Sequence, residues 1–204
     1  MIKARHDWVF AQFFRLYTRV MLKLHFHNII LHNDVVDQGK PILLIGNHFS
    51  WWDGFFAYYL NDRIFHRKFH VMMLEQQLKS RMFLNKAGAF SIRQHAPSIS
   101  ETLRYTRALL SDSANLVNIY PQGAIHSMFD FPVKFEPGIL KILKGLEKDV
   151  QIIMQCTLVD YFSRSRPTLT FGLKEYRPDE NLRLEKLENA FNAFMQEMIA
   201  KQKA

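Results

Sequence analysis

Short aliphatic runs recur along the chain, each followed by a stretch with helical spacing. Ile42–Ile45, held between Pro41 and Gly46, predicts a buried strand. Val71–Leu74, Leu116–Tyr120, Val150–Val159 and Thr168–Lys174 predict further strands. Residues 54–60, 75–86, 99–110 and 138–148 predict helices. From Leu182 onward, Leu184, Leu187, Phe191, Phe194, Met195 and Met198 fall on one side of a C-terminal helix. Ser98-Ile99-Ser100-Glu101, after Pro97, has the form of a capping box. Asn61-Asp62-Arg63 predicts a break after the first of these helices, and 129–137, with Pro132 and Pro137, predicts an irregular loop. Strands alternating with helices define an α/β fold: a mostly parallel central sheet flanked by helices, with ligands bound beyond the strands' carboxyl ends.

The first 31 residues have a different pattern. Arg15, Arg19 and Lys23 repeat every four residues, a basic stripe along a helix. Phe10, Phe13, Phe14, Tyr17, Met21 and Leu24 occupy much of the remaining circumference. No apolar run reaches the ~18–20 residues that a spanning helix needs. No small-residue cleavage site follows a short apolar core, so a secretory signal is not expected. Two readings fit: a basic amphipathic helix in a membrane interface, or a helix packed on the core with snorkelling Arg and Lys.

Composition narrows the class. The 204 residues suit one domain with a sizeable core; 48% are hydrophobic and 23% charged, as in a globular protein. The 18 Phe are more than a water-soluble core usually requires. Lys and Arg (27) exceed Asp and Glu (19), a net charge of +8 that favours polyanionic partners: nucleic acid, anionic headgroups, coenzyme A or an acidic carrier protein. Nucleic acid fits poorly, because no recognised binding motif is present and the basic residues form no single stripe. Cys156, the single cysteine, excludes an intramolecular disulfide and reads as a small buried hydrophobe. The nine histidines are dispersed, and His25-x-His27 lacks further ligands, so no metal is expected.

The chemistry concentrates after the 42–46 strand, at Asn47-His48-Phe49-Ser50-Trp51-Trp52-Asp53-Gly54. A helix starting near Ser50 would put His48 in the preceding loop and Asp53 in the first turn, within hydrogen-bonding distance. A carboxylate on one imidazole nitrogen fixes the tautomer and leaves the other as a base. The bare spacing equally fits a loop histidine beside an unrelated aspartate. Two features further on are open in the same way. Arg63, His66, Arg67, Lys68 and His70 read either as a solvated loop or as a patch steering an anionic acyl carrier. Arg93 offers a planar fork that matches a phosphate.

Four segments together resemble the glycerophospholipid (lysophosphatidic acid-type) acyltransferase family. Asn47-His48-x4-Asp53 after an apolar strand is similar to its first motif, and Gly88-Ala89-Phe90-Ser91-Ile92-Arg93 to its second, Gly-x-x-Phe-Ile-x-Arg. Tyr120-Pro121-Gln122-Gly123 resembles its third, Phe-Pro-Glu-Gly-Thr-Arg, and Phe135-Glu136-Pro137-Gly138 the aromatic-x-x-Gly step that follows. The resemblance implies transfer of a fatty acyl group from acyl-coenzyme A or an acyl carrier protein to a hydroxyl of a lysophospholipid or related lipid. His48 would be the general base and Asp53 its support, with Arg93, Gln122 and Gly123 binding substrate and no further cofactor. It also favours the membrane reading of the N-terminus: residues 1–32 as an amphipathic interface segment, 33–204 as the acyltransferase domain, and a peripheral place on the cytoplasmic face of an anionic membrane.

The third motif departs from the pattern. Gln122 stands for the usual Glu, and Ala124-Ile125 for Thr-Arg, followed by His126. A Gln can orient a hydroxyl but carries no charge. Loss of the Arg weakens a phosphate-bearing acceptor more than it weakens acyl transfer. The 150–159 run lacks the proline of the family's fourth motif. Two alternatives therefore stay open: an acyltransferase for a lyso-aminolipid, lipid A-like or polyketide-like alcohol, or a non-catalytic lipid- or carrier-binding protein.

Overall fold

The computed structural model describes residues 1–93, 99–144, 146, 149–178 and 182–202. Seven strands form one sheet: β1 (Asn28–Asn33), β2 (Ile42–Gly46), β3 (Lys68–Leu74), β4 (Ala89–Ile92), β5 (Asn115–Ile119), β6 (Gln151–Asp160) and β7 (Thr168–Tyr176). Their order is β1-β7-β6-β2-β5-β3-β4. Every pairing is parallel except β6 with β7, which runs antiparallel from Ile152↔Tyr176 to Asp160↔Thr168. The central strand β2 is buried at every position, which is why it reads as continuous aliphatic sequence.

Helices α1 (Trp8–His25), α2 (Asp53–Leu60), α3 (Glu75–Lys79), α4 (Ile99–Leu109), α5 (Gly138–Leu143) and α6 (Leu184–Lys201) cover the two faces. Two core clusters result. Leu43, Ile45, Leu103, Ile139, Phe191 and Met198 belong to the first. Leu44, Phe14, Phe55, Phe69 and Phe171 belong to the second. Adjacent β2 residues feed opposite clusters, as the period of two requires. Ser98 of the expected capping box lies outside the described residues.

Several elements differ from expectation for physical reasons. The helical pattern of the first 31 residues ends at His25, and Asn28–Asn33 is instead an edge strand parallel to β7. Arg166 donates to the Lys23 and Leu24 carbonyls at the end of α1, at 3.3 and 3.1 Å. The 54–60 helix does not break at Asn61; it continues as a π-helical turn, Asn61–Phe65, and stops where His66 adopts a left-handed φ of 53°. The 75–86 segment is α3 followed by a 3₁₀ helix, Met82–Ala87. Gly88 then turns the chain into β4 at φ +104°, where an added Cβ would lie 2.0 Å from the Phe69 carbonyl oxygen. Residues 1–7 run beside β4: Ile2 and Ser91 exchange hydrogen bonds through Ile2 N–Ser91 Oγ (2.7 Å) and Ser91 N–Ile2 O (2.9 Å).

Helix α1 is anchored in a way the basic stripe did not suggest. Phe14, Thr18 and Leu22 are buried, and Phe14 meets the Phe55 and Tyr58 rings at 5.2 and 5.0 Å. Arg15 and Arg19 turn to the buried Asp62 carboxylate, each at 2.6 Å. The opposite side is apolar and exposed: Trp8 (75%), Phe13 (60%), Leu16 (63%) and Leu24 (60%). Among the described residues no helix is long and apolar enough to cross a membrane.

Candidate active site

The site lies at the carboxyl end of β2, where the chain leaves the sheet through Asn47 and His48. The Asn47 side chain pins that exit to β6, donating to the Thr157 carbonyl at 2.9 Å and accepting its amide at 2.8 Å. The helix begins at Asp53 and not near Ser50, because residues 50–52 form a tight turn in which Ser50 Oγ accepts the Trp52 amide at 3.1 Å. Asp53 Oδ2 collects three donors: His48 Nδ1 at 2.7 Å, the Phe49 amide at 2.8 Å and the Ser50 amide at 2.9 Å. The loop is thus wrapped around the carboxylate.

Asp53 is 1% exposed. Burial pushes its pKa up, opposed by the His48 hydrogen bond and the two amides. A carboxylate beside Nδ1 assigns the ring proton to that nitrogen and leaves Nε2 with a free lone pair. The His48 ring also stacks on Tyr120 at 4.5 Å, with 16° between the planes. An added Cβ at Gly46 would come within 2.8 Å of the Tyr120 ring, so glycine there makes room for the stack. Burial, reinforced by the Asp53 charge, holds the Tyr120 phenol well above its ordinary pKa.

The third-motif residues join this arrangement from the end of β5. Gln122 Oε1 accepts the His48 amide at 2.6 Å, and the His126 amide donates to the His48 carbonyl at 3.0 Å. Gln122 therefore holds the backbone of the histidine. Gly123, at φ +72°, closes the turn from Tyr120. The His126 ring pairs instead with Asp130 at 3.1 Å on the surface.

A cavity of about 430 Å³ opens beside His48. Pairing of β3 with β5 ends at Val71↔Asn118. Beyond that point Met72–Leu74 of β3 and Ile119–Tyr120 at the end of β5 part and line the cavity. Its wall takes Phe55 and Phe69 from one core cluster and Leu103 and Ile139 from the other, so it spans the sheet. The wall is mostly aliphatic and aromatic, with His48, Gly123 and Glu136 among its polar contributors.

Arg93 follows Ile92, a cavity residue, at the end of β4, and its Nη2 binds Glu75 Oε1 at 2.5 Å. Lys79 reaches the same carboxylate oxygen at 3.1 Å. The Arg93 hydrogen bond, with Lys79 beside it, draws the Glu75 pKa down to about 2. The basic cluster after Asn61 lies elsewhere. Its residues precede β3 or fall in the first three positions of that strand, at the end away from His48. Arg67 there binds Asp37 at 2.6 Å, and His70 is buried against Asn115 at 3.1 Å. Sequence reasoning missed the Tyr120 stack, the Gln122–His48 hydrogen bond and the Glu75–Arg93 pair. Only the first had a signal, an aromatic residue at the carboxyl end of the strand neighbouring β2. Among the described residues no group of three His, Cys, Asp or Glu side chains could hold a metal ion.

A histidine–aspartate pair thus stands at the carboxyl end of a mostly parallel sheet, on the wall of an apolar cavity. The Acyltransferase family model matches residues 28–158, and the chain belongs to that family. Its fold is similar to that in the crystal structure of the 1-acyl-sn-glycerophosphate (LPA) acyltransferase PlsC from Thermotoga maritima. The two share 10% sequence identity at a TM-score of 0.64, over 95% of this chain and 80% of that one. Among curated proteins none matches the sequence.

Proposed function

We propose that the protein moves a fatty acyl group from an acyl-coenzyme A or acyl carrier protein thioester to a hydroxyl of a lipid acceptor. His48 Nε2 takes the hydroxyl proton as the oxygen attacks the thioester carbonyl, and Asp53 supports the imidazolium that forms; collapse of the tetrahedral adduct then breaks the C–S bond, and the imidazolium returns its proton to the departing thiolate. The observation that carries this reading is the His48–Asp53 pair, 2.7 Å apart, on the wall of the apolar cavity. A cavity of about 430 Å³ is within the ~300–1,000 Å³ range of small-molecule sites. The acyl chain lies there, and its carbonyl rests at His48.

The oxyanion needs backbone donors. The Phe49 and Ser50 amides serve Asp53, and the His48 amide serves Gln122. That leaves the cavity-lining turn around Gly123 to supply the donors. Gly123 gives the turn that presents them.

The exposed apolar side of α1 supports peripheral attachment to the cytoplasmic face of an anionic membrane. Lys23 and the net charge of +8 suit the headgroups. Met82, Phe83 and Trp51, also exposed, extend the surface toward the cavity, and Arg81 covers the Trp51 ring at 4.4 Å. The acceptor would then enter from the bilayer.

The test is release of thiol from hexadecanoyl-coenzyme A and hexadecanoyl-acyl carrier protein on addition of micellar lysolipids. Acceptor-dependent release is expected. Its absence with every pairing would refute acyl transfer.

A further inference from the structure

The charged side chains that line the cavity are balanced, one of each sign, and this bears on which acceptor fits. A phosphomonoester carries about −1.5 to −2 at pH 7 and is held by several cationic or N–H donors. Among the described residues, Lys141 is the single Lys or Arg in the cavity lining, and Glu136 opposes it there. Arg93, the guanidinium that the second motif offers to a phosphate, follows the cavity residue Ile92. Its charge is answered by Glu75, whose carboxylate is buried and also holds Lys79. The loop next to His48 contributes Ala124 and Ile125, whose side chains carry no charge to set against a phosphate.

We infer that the acceptor is an amphiphilic alcohol whose headgroup bears no phosphomonoester, neutral or zwitterionic, and that Glu75 sets this preference by neutralising Arg93. The inference rests on the acyl-transfer reading above. A zwitterion suits a rim that offers one carboxylate and one ammonium, Glu136 and Lys141. A phosphomonoester would meet the Glu136 carboxylate and a guanidinium already paired.

The experiment compares kcat/KM for 1-acylglycerol 3-phosphate, monoacylglycerol and lysophosphatidylethanolamine in identical neutral micelles, using the full chain with hexadecanoyl-coenzyme A and hexadecanoyl-acyl carrier protein. The phosphomonoester is expected to be at least tenfold poorer than the better of the other two. Glu75→Gln removes the opposing charge and should narrow that gap severalfold. Ile125→Arg, at an exposed position where folding is not at risk, should narrow it too. A wild-type enzyme that uses the phosphomonoester as well as or better than the others would overturn the inference and leave acyl transfer intact. A gap that neither variant narrows would overturn the assignment to charge. Absence of acceptor-dependent release with all three would overturn the acyl-transfer reading, and the inference with it.

Discussion

Gln122 Oε1 lies 2.6 Å from the His48 amide nitrogen, so the third motif grips the backbone of the first. The contact needs an acceptor at this position, not a negative charge. Gln122→Glu should therefore keep turnover within a fewfold of wild type. Gln122→Ala leaves a half-buried amide without its partner, at about 1–3 kcal/mol, and loosens the His48 loop. Steady-state kinetics should show kcat falling roughly tenfold or more, by the 1.4 kcal/mol per decade that relates barrier to rate. Equal activity of the Ala variant would remove Gln122 from the site.

Asp53→Asn keeps the side-chain shape but not the charge beside Nδ1. The amide can present its NH₂ to the imidazole and reverse the tautomer. Turnover should drop by on the order of 10²–10⁴. Because Asp53 also accepts the Phe49 and Ser50 amides, the melting temperature should fall modestly as well. A variant as active as wild type would show that the ionised carboxylate is not needed.

Trp8, Phe13 and Leu16 are at least 60% exposed on α1, so replacing all three with Ser removes little buried area. The triple variant should keep its melting temperature within a few degrees. Its sedimentation with anionic phospholipid vesicles should fall several-fold. Undiminished binding would assign attachment to another surface.

His70 provides a pH signature. Burial, with His6 and Lys68 nearby, lowers its pKa to about 4, against the smaller opposing influence of Asn115 and Asp112. The folded chain thus binds this proton less readily than the unfolded chain, whose histidine titrates near 6.5. Stability is fully present above pH 6.5 and is lost as pH falls from there toward 4, by about 3 kcal/mol at most. Urea denaturation at pH 7 and pH 4.5 should show a steeper loss for wild type than for His70→Gln. Identical losses would contradict a buried neutral His70.

Much of this organisation is legible in the residues themselves. The strand at 42–46 is a continuous aliphatic run up to Gly46, and 116–119 is aliphatic except for Asn118, because parallel strands covered on both faces show no regular polar side. His48 and Asp53 are readable because their contact spans five residues of local chain. Edge strand β1 was hidden, since Asn28–Asn33 borrows its order from β7, 140 residues downstream in register Asn28↔Thr168. Glu75 was hidden likewise, because its pairing with Arg93 depends on the adjacency of β3 and β4. The α1 pattern was misleading for a third reason: Arg15 and Arg19 meet a buried carboxylate brought in by the turn after α2. Local periodicity reports which residues share a face. It does not report which neighbour covers that face.

The most direct test of the account is the turnover of His48→Ala beside wild type, measured as acceptor-dependent thiol release, with circular dichroism and melting temperature as controls for folding. His48→Ala should fold as wild type does, with kcat lower by about 10³ or more. A folded His48→Ala protein with wild-type turnover would contradict the assignment of His48 as the base.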